Sequence, residues 1–287
     1  MAKFTAKAGE QDLRADVFIA SKYPQFSRSA LGQLFDKQMI TIASKPIKAS
    51  HKIQPDDKVE VDETYFNTEP PEVDLPIIFE DDAVIVIDKP AGLLTHSKGA
   101  LNLEATVASF VSNKITDKAL SGNRAGIVHR LDRGTSGVII AAKTKAAQDW
   151  LQKQFAKRNA KKTYLAVVHG TPKPAEAIIN APIARNPAKP QLFRVDKTGK
   201  NAITQYKVLK TKGKYSQVVL KPLTGRTHQL RVHLSYIGHP IVGDSFYGKD
   251  SGQTILHAKS LELTLPNGER RKFISETPGI FSEIFNE

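Results

Sequence analysis

The sequence predicts an α+β protein, in which a small N-terminal α+β unit precedes a larger domain with an extensive, largely antiparallel mixed β-sheet flanked by helices and loops. Three observations predict it. Strand candidates outnumber helix candidates over residues 76–287. They do not alternate with helices in the strand–helix–strand rhythm of a parallel sheet. Leu261–Leu265 and Arg271–Ile274 flank Asn267-Gly268, a strong hairpin signal.

Taken in order, Leu13–Ala20 reads as a short helix. Ser27 is placed to cap a second, with Leu31, Leu34 and Phe35 on one face. Met39–Ile42 and Lys58–Val61 read as strands, the latter after the turn-like Pro55-Asp56-Asp57. These elements make a unit over residues 12–62. Residues 63–75 are expected to be an extended linker, because Pro70-Pro71 and the following Pro76 resist helix and central strand alike. In the larger domain, residues 76–287, Val84–Asp88 is a buried-strand candidate and Leu103–Ile115 a helix candidate. Val138–Lys143, Thr163–Val168, Gln205–Leu209 and Ser216–Leu220 are strands. Ala146–Arg158 is an amphipathic helix on Ala147, Trp150, Leu151 and Phe155. Thr227–Ile237 is a helix that turns Leu230, Leu234 and Ile237 inward.

Composition narrows the function. The 287-residue chain has no Cys, which excludes disulfides and thiol catalysis. Its apolar runs are far shorter than the roughly 20 residues of a membrane span, and Met1–Arg14 has no signal-peptide core, so a soluble cytoplasmic protein is expected. The net charge is +13, unevenly spread. Residues 1–75 hold 10 Lys and Arg against 12 Asp and Glu; residues 76–287 hold 32 against 17. Lys197–Gly243 carries nine Lys or Arg and no acid. Such a footprint suits a polyanion, because neutralised phosphates release counterions. A basic surface kept for solubility is the plainer alternative.

Three segments carry chemistry. The first is His129-Arg130-Leu131-Asp132-Arg133-Gly134-Thr135-Ser136-Gly137. Arg130 and Arg133 would lower the pKa of Asp132 if they turned toward it, and an ionised acid serves as nucleophile, base or charge stabiliser. The plain alternative is a turn cap or an ion pair at a strand entrance. The second is Lys162–Val168, where Tyr164, Ala166 and Val168 share a strand face and Tyr164 could wall a base-stacking slot or simply fill a core. The third is Thr224–His233, a glycine turn opening a helix with His228, Arg231 and Ser235 on its polar face. Its N-terminus beside Arg226 suits a phosphate, and Arg231 could reach a carboxylate from another segment; a solvated basic face is the alternative. The spacing of His228 and His233 is wrong for a zinc helix, so no metal is expected. Gly238–Gly248 is a glycine-punctuated loop without the spacing of dinucleotide or Walker loops, so no nucleotide cofactor is expected. Gly134–Gly137 also lacks the serine-hydrolase elbow.

Those segments, in that order, resemble the RluA-type pseudouridine synthases. The likeness starts at Asp88-Lys89-Pro90-Ala91-Gly92-Leu93 and ends at Leu256-His257-Ala258. Leu13–Asp16, Ser27-Arg28-Ser29, Lys48–Ile53 and Asp57–Val61 resemble the small ribosomal-protein-type RNA-binding module of many such enzymes. Two places depart from it: Gln38 stands where a glycine is usual, and Ala43-Ser44 where an asparagine-glycine turn is usual.

The resemblance implies an isomerase of RNA uridine that detaches the base at N1, rotates it and rejoins it through C5, with no cofactor or metal. Asp132 would be the catalytic aspartate, by adding to the base, attacking the sugar carbon or taking a sugar proton. Tyr164 would stack on the flipped uracil, and Arg231 would pair with Asp132. His129, Arg130, Leu131, Arg133, Thr135, Arg226, His228 and Arg28 would contact substrate or RNA. The N-terminal module favours large-subunit ribosomal RNA as substrate; a monomeric enzyme is expected. The alternatives are a transfer-RNA target, or a non-catalytic RNA-binding assembly factor on the same scaffold.

Overall fold

The computed structural model describes residues 1–97, 104–122 and 124–286. In chain order the elements are β1 (Ala2–Thr5), α1 (Ala15–Lys22), α2 (Arg28–Asp36), β2 (Ile40–Ile42), β3 (Lys45–Pro46), β4 (Lys58–Val61), β5 (Ile77–Glu80) and β6 (Val84–Lys89). There follow α3 (Val107–Ser112), β7 (Ser136–Ala142), α4 (Lys145–Ala156), β8 (Lys161–His169), β9 (Glu176–Asn180), β10 (Ile183–Arg185) and β11 (Phe193–Val195). The chain ends with β12 (Ile203–Lys212), β13 (Tyr215–Pro222), α5 (Gln229–Tyr236), β14 (Leu256–Thr264), β15 (Arg270–Ile274) and α6 (Ile280–Asn286). They divide between two compact units. One comprises Met1–Val73, His96–Ser109 and Gly122–Arg124; the other comprises Asp74–Thr95, Phe110–Ser121 and Ala125–Glu287.

The first unit holds an antiparallel sheet in the order β1-β4-β2-β3. Its core gathers Phe18 and Ile19 of α1, Leu31 and Leu34 of α2, and Ile40, Val59 and Val61 of the sheet. Ser27 caps α2 by accepting from the Ala30 amide at 3.2 Å, as its position before the apolar face predicts. Where an extended linker is expected, Glu63–Asn67 forms a 3₁₀ turn instead. Tyr65 explains it: the ring is buried in this core and its hydroxyl donates to Gln33 Oε1 at 2.8 Å. Gln38, Ala43 and Ser44 all have positive φ, at 58°, 48° and 61°. The β2–β3 turn therefore keeps its left-handed backbone without the residues that hold it at least cost.

The larger unit carries a sheet in the order β5-β6-β7-β14-β8-β13-β12-β9, with β15 paired to β14. Its described ladders are antiparallel apart from β7 with β14, as the sequence predicts. All seven residues of β7 are buried, as befits a strand covered on both faces. Val138 and Ile140 pack with Ala147 and Leu151 of α4, and Ala166, Val168, Val218 and Leu220 pack with Leu230 and Leu234 of α5. Thr144 caps α4 through the Ala147 amide at 3.2 Å. Of the helix expected over 103–115, Leu103 lies outside the described residues, and α3 occupies only Val107–Ser112. The Asn267-Gly268 turn joins β14 to β15, with Gly268 at φ 88°.

Candidate active site

Two strand ends and one helix converge on a single cavity. β7 is entered through the 129–135 segment, β8 supplies a wall, and α5 closes the far side. The last β8–β13 pair is Tyr164 with Leu220. Beyond it β13 runs through Pro222 into the Thr224–His228 turn, and space opens over the first residues of β8. The resulting cavity holds about 850 Å³ and is lined by residues of the larger unit, including Asp132, Tyr164, His228 and Arg231. Arg130, Arg158, Lys161, Lys162, Arg226 and Arg231 also line it, and Asp132 is the one acid among the lining residues. All three motifs singled out in the sequence thus meet at one place.

Asp132 opens a tight turn whose carbonyl accepts the Thr135 amide at 3.0 Å. Gly137 has φ 106°, and a Cβ there would collide with the Ala258 carbonyl; glycine is required where β7 meets β14. The flanking arginines do not pair with Asp132. Arg130 is exposed at the cavity wall. Arg133 reaches toward the Gly92 carbonyl at 3.4 Å. Neighbouring side chains in a turn diverge, so sequence adjacency misled. The carboxylate instead meets Arg231 Nη1 at 3.5 Å and His228 Nε2 at 3.9 Å, both from the third motif.

Arg231 is held mainly by another acid. Its Nε and Nη2 donate to the two oxygens of Asp244 at 2.7 and 2.8 Å, a bidentate pair buried from solvent. Asp244 Oδ1 also accepts the amides of Phe246 and Tyr247 at 3.0 and 3.2 Å. The expected Arg231–Asp132 contact is therefore the weaker of the arginine's two carboxylate contacts. Sequence reading missed Asp244 as the partner, although it lies within the glycine-punctuated loop Gly238–Gly248. Arg231 itself is 8% exposed, so the polar face expected of this helix is not solvated.

His228 precedes α5 rather than lying on it. It adopts φ 55° and ψ 18°, an unusual left-handed conformation for a non-glycine residue. Its Nδ1 lies 2.7 Å from the Tyr247 hydroxyl, which accepts the Phe193 amide at 2.9 Å. The phenol proton is then available to Nδ1, leaving Nε2 as the ring N–H toward Asp132. Burial pushes the imidazole below its ordinary pKa against the pull of Asp132. Tyr164 is half-buried; burial first, and then the charge of Asp132, push its phenol up, so it stays protonated.

The other expected contacts sort unevenly. His129 is not poised for RNA. Its Nε2 accepts the Ile140 amide at 3.0 Å, its ring stacks on Phe155 at 4.5 Å, and burial drops it to about 3, so it is a neutral structural ring at the cavity edge. Leu131 is buried, and both its backbone groups bond the Thr95 hydroxyl, at 3.1 and 2.8 Å. Thr135 is buried at the cavity wall. Arg226 lines the cavity, its Nε donating to the Asn201 carbonyl at 3.0 Å and its amide to Gln229 Oε1 at 3.0 Å. Gln229, the first residue of α5, thus occupies the Arg226 amide in the turn that precedes the helix. Arg28 is in the other unit, paired with Asp16 at 2.8 Å.

Lys89 was not singled out as a site residue. It is fully buried, and Nζ donates to the carbonyls of Pro90, Leu93 and Arg133 at 2.9, 2.8 and 3.3 Å. It ties the turn that follows β6 to the Asp132–Arg133 backbone. Burial pushes its pKa down to about 7, opposed by Asp132.

The RNA pseudouridylate synthase family model matches residues 83–236 of this chain. The chain is 36% identical to the ribosomal large subunit pseudouridine synthase D of Borreliella burgdorferi over 97% of its own length and 90% of that protein. It is 40% identical to the dual-specificity RNA pseudouridine synthase RluA of Escherichia coli, over 69% of this chain and 90% of that one. Human RNA pseudouridylate synthase domain containing 1 superposes with a TM-score of 0.60 at 28% identity, over 75% of this chain and 89% of that structure.

Proposed function

This chain belongs to the RluA-type family of RNA pseudouridine synthases and is an RNA pseudouridine synthase, and from that premise we propose that its substrate is large-subunit ribosomal RNA and its catalytic group Asp132. The observation that carries the second part is the isolation of Asp132, a lone carboxylate in a cation-lined cavity opposite an aromatic wall. The first part is supported by the relative named a ribosomal large subunit pseudouridine synthase, which this chain matches along nearly its full length.

The reaction breaks the C1′–N1 bond of uridine, turns the uracil and forms C1′–C5. C5 loses a proton and N1 gains one, so the RNA is isomerised with nothing added. Such chemistry needs a group at the base–sugar junction and a surface on which the detached base can turn. Asp132 supplies the first. Tyr164 supplies the second: its phenol stays protonated, so it offers a face for stacking rather than a base. Arg231 and His228 present N–H groups to Asp132 and fix its orientation. The uridine must leave its stack, at a cost of a few kcal/mol. Arg130 and Arg226 at the cavity wall, and Arg133 beside it, are placed to offset that through phosphate contacts. Residues 12–62 act as a small RNA-holding module in which Arg28, half exposed beside Asp16, offers its open side to RNA. The enzyme acts as a monomer in the cytoplasm.

Pseudouridine mapping of total RNA from cells with and without the protein tests this reading. A single class of missing modification in large-subunit ribosomal RNA is expected. Loss confined to transfer RNA would overturn the substrate. Re-expression of Asp132→Asn should leave the modification missing, with a rate at least about 10³-fold lower and little change in melting temperature. Restoration by that variant would overturn the role of Asp132.

A further inference from the structure

Lys162 is a cation in the cavity that none of the described residues neutralises. It lies on β8 two residues before Tyr164, on the same strand face and about 6.6 Å along it. Its neighbour Lys161 also lines the cavity but has an acid within reach, Glu262 at 3.8 Å. The other buried cations are occupied: Lys89 by three carbonyls and Arg231 by Asp244. Arg130 and Arg158 are bathed in solvent. Lys162 is only partly exposed, and among the described residues no carboxylate or carbonyl partners its ammonium. Burial is the cause that pushes its pKa down. A half-buried ammonium left this way is costly in the free protein.

The wall opposite keeps the ammonium open. Gly225 is exposed, and a Cβ there would stand 3.5 Å from Lys162 Nζ. Any longer side chain would cover it. The cavity therefore presents an aromatic wall and, one strand step-pair away, an uncovered cation. That separation is of the order between a nucleobase and the phosphate of its own nucleotide. We propose that Lys162 and the open side of Gly225 form a phosphate subsite that seats the backbone phosphodiester of the nucleotide whose base lies on Tyr164. This rests on the cavity being the uridine site.

The test uses the full chain and poly(U) as probe, with the dissociation constant measured over a range of NaCl concentrations. One lost phosphate contact on a single strand lowers the slope of log affinity against log salt by about 0.7. Lys162→Gln is expected to show that loss and several-fold weaker binding, whereas Lys162→Arg keeps the slope. Gly225→Asp leaves Lys162 in place but sets a carboxylate beside its ammonium, so it should reproduce the Lys162→Gln result. An unchanged slope in Gly225→Asp overturns the subsite, even if Lys162→Gln fails to fold. A lost slope in Lys162→Arg equal to that of Lys162→Gln overturns it too, because the charge is then not what binds. Failure of the uridine reading is separable: it shows as no RNA modified by the wild type, whatever the salt slopes are.

Discussion

Asp16 in the N-terminal unit and Asp132 in the larger one look alike in sequence, each an acid with arginine close by, and they are used in opposite ways. Asp16 is the satisfied member of its cluster. Arg14 reaches both of its oxygens, at 3.2 and 3.1 Å, and Arg28 adds a third contact at 2.8 Å. Both arginines remain about half exposed. Around Asp132 the arginine is the satisfied member. Arg231 is buried and gives its two short bonds to Asp244, so Asp132 receives from it only a 3.5 Å contact, with His228 at 3.9 Å, and keeps its face to the cavity. Two acids and one arginine leave a carboxylate under-bonded; one acid and two arginines leave none. The first arrangement is suited to chemistry and the second to holding a helix end in place.

Removing Asp244 attacks that difference most directly. Asp244→Ala leaves a buried guanidinium without its bidentate partner and frees the Phe246 and Tyr247 amides. Breaking a buried pair from one side costs about 3–5 kcal/mol, which lowers the melting temperature of the larger unit by roughly 10 °C. Arg231 is then free to close on Asp132, making it resemble Asp16, and pseudouridine formation should fall about 10²-fold or more even well below the melting temperature. Thermal melting by circular dichroism and turnover on ribosomal RNA check the two effects separately. Full turnover in a destabilised protein would show that Asp244 supports the fold and not the geometry of Asp132.

This contrast was only half legible in the sequence. Asp132, Tyr164 and Arg231 could be named because each sits in a segment whose residue types and order are informative, and all three line one cavity. The fold class followed from local signals, such as the Ser27 cap and the Asn267-Gly268 turn. The partners were harder. Arg130 and Arg133 adjoin Asp132 in the chain, yet side chains on a turn fan apart, while Arg231 arrives from 99 residues away. Nothing local says that Arg231 prefers Asp244. Lys89 was hidden for a related reason: its three acceptors are backbone carbonyls, which every residue has, so no pattern of side chains marks them. Tyr65 drew the start of an expected linker, Glu63–Asn67, into the core, while residues 68–76 with their prolines have no regular structure.

Lys89 sharpens the comparison from behind the Asp132 turn. Its folded pKa, about 7, lies below the ordinary 10.5. Between those values the unfolded chain binds a proton that the folded one does not, so this group makes stability rise with pH across that window. The stability of wild type relative to Lys89→Met should therefore increase from pH 7 to pH 9, by up to about 2.5 kcal/mol. Urea unfolding at several pH values measures it. A flat difference would mean that the three carbonyls keep the ammonium charged throughout, and that the Asp132 turn rests on a permanent cation.

Asp16→Asn probes the other side of the comparison and should have the smallest effect. Its arginines are half exposed, so the screened pairs are worth about 1 kcal/mol together. Hydrogen bonding from Arg14 is the leading cause that lowers the Asp16 pKa below 3.8. A depressed carboxyl contributes stability that is present above the unfolded value and lost as pH falls through the folded one. The deficit of Asp16→Asn should thus be constant from pH 8 to about pH 5, close below pH 3.8, and shrink in 1 M salt. Amide exchange along α1 reads it locally, where the Asp16 amide bonds the Ala49 carbonyl at 3.1 Å. A deficit that persists in 1 M salt would place Asp16 with the buried, unscreened pairs, and its likeness to Asp132 would then extend beyond the sequence.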